Sequence, residues 1–479
     1  MRILLVTFAI CFACGTCLGN DPQMLALVER ARSAWSAPGV AIVVVRGNET
    51  PLRAAVGIRD HTRKQPMTDE TLVPLGSCTK AFTSAAMASL VTEGKLSFDD
   101  PVRRHLPGFK LADEHADALV TLRDLLSHRT GLDGHDLLWY RAPWTLESSI
   151  ARIGELKRSG PFRGSFHYSS LTVAAAGMAA AKCTNQSWEE LVRERVVKPL
   201  DLKRVAFTSR QFAEFDNRAE GFERKADGTI VPMPAYEMKE PHPAGSLHLS
   251  IRELESWLKY QLSNPNDALA ETKRPQTVVP LTAAIRPYHP HGTQVSYGMG
   301  WLIYDYRGKL VVAHGGMIDG FRTQVTLLPD EKIGIAVVNN LHDSKLNLAL
   351  TTSLIDRLLS LPETDWNAYY LAQEKRERDE ATAAWTAIVN ARRAEVKPTL
   401  PSGGYAGKYR NAGYGTGQVA VDSGLLTWSW SSFRCPLEHW EGDRYRITEG
   451  LLKDRFVEFR VRNGRAEALG FVEQIFDRK

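Results

Sequence analysis

Apolar positions cluster in short, mostly β-branched runs at two widely separated places, with helical periodicity between them. Val40–Arg46 is one such run; the turn-like Gly47-Asn48 and a second candidate strand, Leu52–Ile58, follow it, which predicts an antiparallel hairpin. Far downstream, Leu310–Ala313, Gln324–Leu328 and Ile333–Val338 read as three more strands, with Pro329-Asp330-Glu331-Lys332 as the turn between the last two. Strands on both sides of a helical middle predict one sheet whose edges come from distant segments, an α+β design. The charged, Ala-rich stretch Asp365–Val396 predicts a connecting helix ended by Pro398 and Pro401. Beyond it, Gly404–Lys479 alternates in short runs rich in Tyr, Trp, Val and Gly, as a small barrel-like β domain would.

The amino terminus changes this picture. Met1–Gly19 carries Arg2, an apolar run from Ile3 to Ala13 and then small residues, the pattern of a secretory signal cleaved near Gly19–Asn20. A retained amphiphilic anchor is the alternative, although the run is short for a membrane span. No apolar-small-small-Cys box precedes Cys14 or Cys17, which argues against a lipid anchor there. The expected protein is therefore secreted or periplasmic, without a stable membrane span once the leader is removed. Three of the six cysteines lie in the leader, leaving Cys78, Cys183 and Cys435, too few and too scattered for a disulfide framework.

Length and charge narrow the class further. A chain of 479 residues with 43% hydrophobic and 24% charged positions is globular and long enough for more than one domain. The net charge of +5 is dispersed, so no basic face for nucleic acid is expected.

Three short motifs carry the chemistry. Ser77-Cys78-Thr79-Lys80 opens the apolar segment Ala81–Val91, so Ser77 is expected at a helix start with Lys80 one turn on, along the same face. An alcohol becomes a good nucleophile when a base takes its proton, and a lysine of lowered pKa serves. Backbone N–H groups at the helix start are suited to an oxyanion. Taken alone, this segment also reads as a serine cap before a solvated lysine. Tyr168-Ser169-Ser170 precedes the helical run Leu171–Ala181, and His314-Gly315-Gly316 is expected to end the strand Leu310–Ala313.

In order and spacing, these three motifs resemble the serine β-lactamase and penicillin-binding-protein superfamily, most closely its class C β-lactamase-like branch with esterase and D-amino-acid peptidase relatives. Leu125–Leu132, Pro243-Ala244-Gly245-Ser246-Leu247 and Gly94–Val102 add to the likeness, which spans Met24 to Pro362. The tail around Tyr405-Ala406-Gly407-Lys408-Tyr409 looks like an appended lipocalin-like domain. The expected organisation is a signal peptide (1–19), a hydrolase domain (20–362), a connecting helix (363–398) and a β domain (399–479). The expected fold is a β-lactamase/transpeptidase-like antiparallel sheet flanked by helices, with a helical subdomain and then a small all-β barrel-like domain.

The resemblance implies roles. Ser77 would be acylated, with Lys80 and Tyr168 sharing general-base and proton-shuttle duty, and the N–H groups of Ser77 and Met317 would form the oxyanion hole. Gly315 and Gly316 would let a substrate backbone approach the strand edge. Two departures stand out. His314 replaces the lysine that often grips a substrate carboxylate, and Ser170 replaces an asparagine, which implies a lost hydrogen bond to Lys80 or to the substrate. Both argue against strong β-lactamase activity, so the resemblance implies a secreted serine acyl-hydrolase of esterase, D-amino-acid peptidase or amidase, or weak β-lactamase type, acting on a small ester, amide or peptide.

Other candidates receive plainer readings. His135, His289 and His291 fit no metal-binding spacing, so neither metal nor cofactor is expected. His128 is expected to hold its turn, and Cys78 to point into the core. Trp139, Tyr140 and Trp144 are expected to wall the cleft. The alternatives are a catalytically weak penicillin-recognising or peptidoglycan-binding module, and a terminal β domain that binds an apolar ligand or partner. Oligomeric state is left open by the sequence.

Overall fold

The computed structural model describes residues 21–479, so the leader and its expected cleavage site lie outside the described residues. One sheet organises the larger unit. Its strands are β1 (Gly39–Arg46), β2 (Glu49–Gly57), β3 (Thr277–Val278), β4 (Val295–Tyr297), β5 (Leu302–Tyr306), β6 (Lys309–Ile318), β7 (Phe321–Leu328) and β8 (Ile333–Asn339). They pair antiparallel in the order β2-β1-β8-β7-β6-β5-β4-β3. The distant blocks meet inside the sheet, where β1 pairs β8 from Val40↔Asn339 to Arg46↔Ile333. Both strands are apolar without alternation because both their faces are covered. Ala41, Val43, Ala336 and Val338 join one core, and Val40, Ile42, Ile335 and Val337 the other.

Helices cover the two faces. α1 (Pro22–Trp35) and α5 (Leu346–Leu358) lie on one side. On the other are α2 (Thr79–Thr92), α3 (Ser170–Cys183) and α4 (Ile251–Ser263). α2 is buried without interruption from Thr79 to Ala88. A helix apolar nearly all round belongs in a core, and the charge of Lys80 is thereby drawn into it.

Strand β6 departs from the sequence reading. His314-Gly315-Gly316 does not end the strand; it lies within it, together with Met317. The hairpin with β7 keeps pairing as far as Ile318↔Phe321, and the turn is delayed to Asp319-Gly320, where Gly320 has φ +83°. Pairing with β5, in contrast, stops at Ala313↔Leu302. From His314 onward one edge of β6 therefore carries no strand among the described residues.

The connecting helix α6 runs from Trp366 to Asn390 and is capped by Asp365, which accepts from the Ala368 amide at 2.9 Å. Its end lies well before Pro398, so proline does not stop it. The chain turns because it docks on the terminal domain: Arg392 donates to the carbonyls of Trp440 and His439 at 2.8 and 3.0 Å. At its start, the Trp366 indole donates to the buried Asp356 at 2.7 Å, and Asp356 also accepts from Tyr306 at 2.6 Å.

Eight antiparallel strands between Gly407 and Arg478 close into a barrel, the last pairing with the first through Tyr409↔Arg478. Aromatic side chains fill it. The Trp428 ring sits 5.4 Å from Phe476 and 5.8 Å from Phe471, and a Cβ on Gly417 would lie 2.1 Å from Trp428. That packing leaves the apolar-ligand reading of this domain without its interior. The barrel instead braces the larger unit: the Tyr414 hydroxyl meets His135 Nδ1 at 2.8 Å, and Arg152 donates to the Gly413 carbonyl at 2.9 Å.

Trp366 is 2% exposed and pins α6 to the sheet-covering helix α5. Trp366→Ala is expected to destabilise the protein by about 3–5 kcal/mol, the usual cost of emptying a large aromatic site. Denaturant unfolding measures it.

Candidate active site

The site grows from a turn that only glycine permits. Gly76 has φ +52°, and a Cβ there would lie 2.7 Å from the Met317 nitrogen and 2.8 Å from its oxygen. Gly316 is equally constrained, since its Cβ would fall 1.9 Å from the Leu75 carbonyl. The 3-10 turn Gly76–Cys78 is thus pressed onto β6 and runs directly into α2. Cys78 secures the contact by donating to the His314 carbonyl at 3.2 Å; burial pushes its thiol up to about 12. It is a buried structural group, as the sequence suggested.

Lys80 stands one turn beyond Ser77 and is fully buried. Its amine reaches Ser77 Oγ at 3.0 Å, the Ala244 carbonyl at 3.0 Å and Ser170 Oγ at 3.3 Å. Burial lowers its pKa to about 7, with the charge of Asp136 acting in the opposite direction. The amine also lies 4.7 Å from the centre of the Tyr168 ring. Burial raises the Tyr168 phenol, and its hydrogen bond with Ser77 offsets part of that rise. Ser170 corrects one expectation: short as it is, its hydroxyl retains the bond to Lys80, because the first turn of α3 sits against α2.

His314 is neutral in this environment. Burial, and then the Lys80 charge, lower its pKa to about 3. Nδ1 donates to the Gly315 carbonyl at 2.6 Å, so Nε2 accepts from the Tyr297 hydroxyl at 2.9 Å. Tyr297, absent from the sequence reading, is buried and packs on His314, His128, Phe166 and Tyr168. The only hint was its place in the Gly-rich run Ser296–Trp301. His128 Nδ1 accepts from the Ser169 amide at 3.1 Å, and its ring lies 4.4 Å from that of Tyr168. It supports the tyrosine from behind.

A cavity of about 1190 Å³ connects these groups; Ser77, Tyr168, Ser170 and the His314–Met317 strand edge line it. Trp139 and Tyr140 wall it as expected. Trp144 does not: it packs 6.0 Å from Trp430 of the barrel and beneath Arg152. Its indole is spent on the docking of the two units. Sequence reasoning also missed that α6 and the barrel reach the cavity, through Glu374 and Leu451. His135, His289 and His291 are dispersed, each against an aromatic ring. Among the described residues no group of three or more His, Cys, Asp or Glu side chains is arranged for a metal.

The beta-lactamase family model matches residues 26–357. The chain belongs to the beta-lactamase family. A second model, known only as a domain of unknown function, DUF3471, matches residues 391–479. The chain is 29% identical over 427 residues to unguisins hydrolase ungD' of Aspergillus campestris (strain IBT 28561), covering 82% of this chain and 76% of that protein. Its fold is similar to the octameric penicillin-binding protein homologue from Pyrococcus abyssi, with a TM-score of 0.62 at 21% identity over 95% of this chain and 99% of that one. It is also similar to a D-stereospecific amidohydrolase from Streptomyces sp., with a TM-score of 0.55 at 22% identity over 66% and 94% of the two chains. The beta-lactamase fold is thus established, with a closed eight-stranded barrel appended.

Two substitutions test this geometry. Gly316→Ala should force β6 off the Ser77 turn and lower both Tm and any Ser77-dependent activity, since the clash is with backbone. Trp139→Ala should raise KM for bulky esters and leave Tm nearly unchanged; steady-state kinetics on esters of graded size decide it.

Proposed function

We propose that this protein is a serine acyl-hydrolase of the class C β-lactamase-like group that cleaves a small ester, amide or peptide through a Ser77 acyl-enzyme. The observation that carries the reading is the Lys80 amine, buried with a pKa near 7 and 3.0 Å from Ser77 Oγ. Such an amine is about half free of its proton at neutrality, far more than an exposed lysine, and is in reach of the hydroxyl.

Ser77 Oγ attacks the substrate carbonyl carbon while its proton passes to Lys80 Nζ. The oxyanion is received by the N–H groups of Ser77 and Met317, which the fit of Gly76 against β6 brings together. The C–N or C–O bond breaks as the leaving group takes a proton from the Tyr168 hydroxyl, which Lys80 restores. Water then attacks the acyl-enzyme by the reverse path, releasing acid and free Ser77. Tyr168 keeps its proton in the resting site because its phenol is raised, and so Lys80 takes the first one.

Neutral His314 offers no cation where a substrate carboxylate is often gripped, which supports ester, D-amino-acid amide or short peptide substrates over β-lactams. The names of the two hydrolytic relatives agree with that choice. We also place the mature protein outside the cytoplasm, on the strength of Met1–Gly19 alone.

Intact-mass measurement after treatment with a fluorophosphonate or a penicillin should show one adduct on the parent and none on Ser77→Ala. No adduct and no hydrolysis of a nitrophenyl ester panel would remove the enzyme reading; an adduct without turnover would favour a penicillin-recognising module. Lys80→Ala and Tyr168→Phe should each lower kcat/KM by about 10²–10⁴. Because only deprotonated Lys80 accepts the proton, kcat/KM should rise with pH through about 7. A flat profile across that range removes Lys80 as the base.

A further inference from the structure

The catalytic cleft has a neighbour. A second compartment of about 700 Å³, within the usual size of a small-ligand pocket, lies between the larger unit and the barrel. Trp139 and Leu451 stand in the walls of both, so the two spaces adjoin. Ser77, Tyr168 and His314 line the first alone.

The walls of the second compartment are apolar and fixed from behind. Phe433 of the barrel stacks on Trp430, which packs against Trp144 of the larger unit. The Tyr236 ring lies 5.2 Å from that of Tyr140, and its hydroxyl donates to the Trp139 carbonyl at 3.4 Å. Leu451, in contrast, is 56% exposed, a large apolar side chain left open where the two spaces meet. Charges in this lining carry both signs, Arg141 and Lys239 against Glu237 and Glu240, and Arg141 already lies 3.6 Å from Asp319. The compartment therefore selects for apolar bulk rather than for charge.

The proposed chemistry gives the direction of approach. Tyr168 protonates the leaving group, and its ring lies 6.3 Å from that of His314. The leaving group thus departs on the His314 side, and the acyl part runs the other way, past Met317 to the tip of β6. There Asp319 accepts from the Tyr140 hydroxyl and the Tyr236 amide, so the strand edge ends against one residue from each compartment. An extended peptide laid on that edge advances about 3.3 Å per residue, as the strand does. Met317 and Asp319 are two residues apart, so an acyl chain must extend at least that far from the scissile carbonyl to enter the second compartment.

We propose that the compartment between the two units is a substrate subsite, which takes a bulky apolar side chain of an acyl peptide two or more residues from the bond cleaved, with Phe433 and Leu451 of the barrel as specificity-determining residues. The proposal rests on the serine-hydrolase reading. It gives the outer face of the barrel a share in choosing the substrate. An aromatic side chain suits the site best, because ring contacts add to the gain from buried area.

Nitrophenyl esters of acetyl-Xaa-Gly-Gly provide the test on the full chain, with glycine, L-tryptophan or D-tryptophan as Xaa. In the parent, the better tryptophan ester should exceed the glycine ester in kcat/KM about 10- to 100-fold, the worth of burying a large apolar side chain. Leu451→Asp, at an exposed position, should cut that ratio at least about 5-fold, and Phe433→Ala likewise. Leu451→Asp decides alone if Phe433→Ala fails to melt cooperatively. Equal kcat/KM for all three esters in the parent, or a preference that survives Leu451→Asp, overturns the proposal while leaving the hydrolase reading intact. Calorimetry with the matching acetyl-Xaa-Gly-Gly amides separates the two. Leu451-dependent binding of a tryptophan amide, with every ester inert, would keep the subsite and discard the nucleophile. No such binding, with every ester inert, would discard both.

Discussion

The site depends on keeping an uncharged amine in a place from which water is excluded. Lys80 has no exposed surface, and its burial, more than any neighbouring charge, sets its pKa near 7. Three oxygens satisfy it, from Ser77, Ser170 and the Ala244 backbone, drawn from three separate segments. The unfolded chain holds this amine protonated at neutral pH, so folding expels a proton at a cost in stability. On the proposed reading, reactivity at Ser77 is obtained from that cost, and the packing around α2 holds the amine there.

Close backbone contact is the second constraint. The Ser77 turn and strand β6 touch through Gly76 and Gly316, with no room for a side chain on either. Strand β6 in turn is held by β7 from Val312 to Ile318 and by β5 only from Lys309 to Ala313. The unpaired half leaves free backbone toward the cavity, which follows that edge. Burial keeps the His314 imidazole neutral, and the Tyr297 hydroxyl, reaching across, occupies its Nε2.

The barrel and α6 give the cavity its far wall. The barrel's aromatic interior is filled, so its contribution lies on its outside, where Tyr414 and Gly413 hold the segment from His135 to Arg152. That segment carries Asp136, Trp139 and Tyr140 on the cleft wall. Asp319 fastens the same wall to the tip of β6 by accepting from Tyr140 and from the Tyr236 amide. Helix α6 is anchored at Trp366 and brings Glu374 and Glu377 to the polar end of the cavity.

Much of this was legible from local pattern. The hairpin of β1 and β2, the strands β7 and β8, the Ser77–Lys80 helix start and the alternating tail each depend on near neighbours in sequence, through side-chain period and turn chemistry. The extent of β6 was not legible, because Gly315 and Gly316 read as a strand end until the partner strand is known to continue past them. Nor was the bond from Ser170 to Lys80, which depends on how closely α3 packs against α2. Trp139 and Trp144 look alike in the chain, and only the docking of the barrel sends one to the cleft and the other to an interface. By itself the sequence determined which residues could do chemistry and in what order they occur. Tertiary structure decided their protonation and their partners, because Lys80 and His314 are desolvated by segments far apart in the chain.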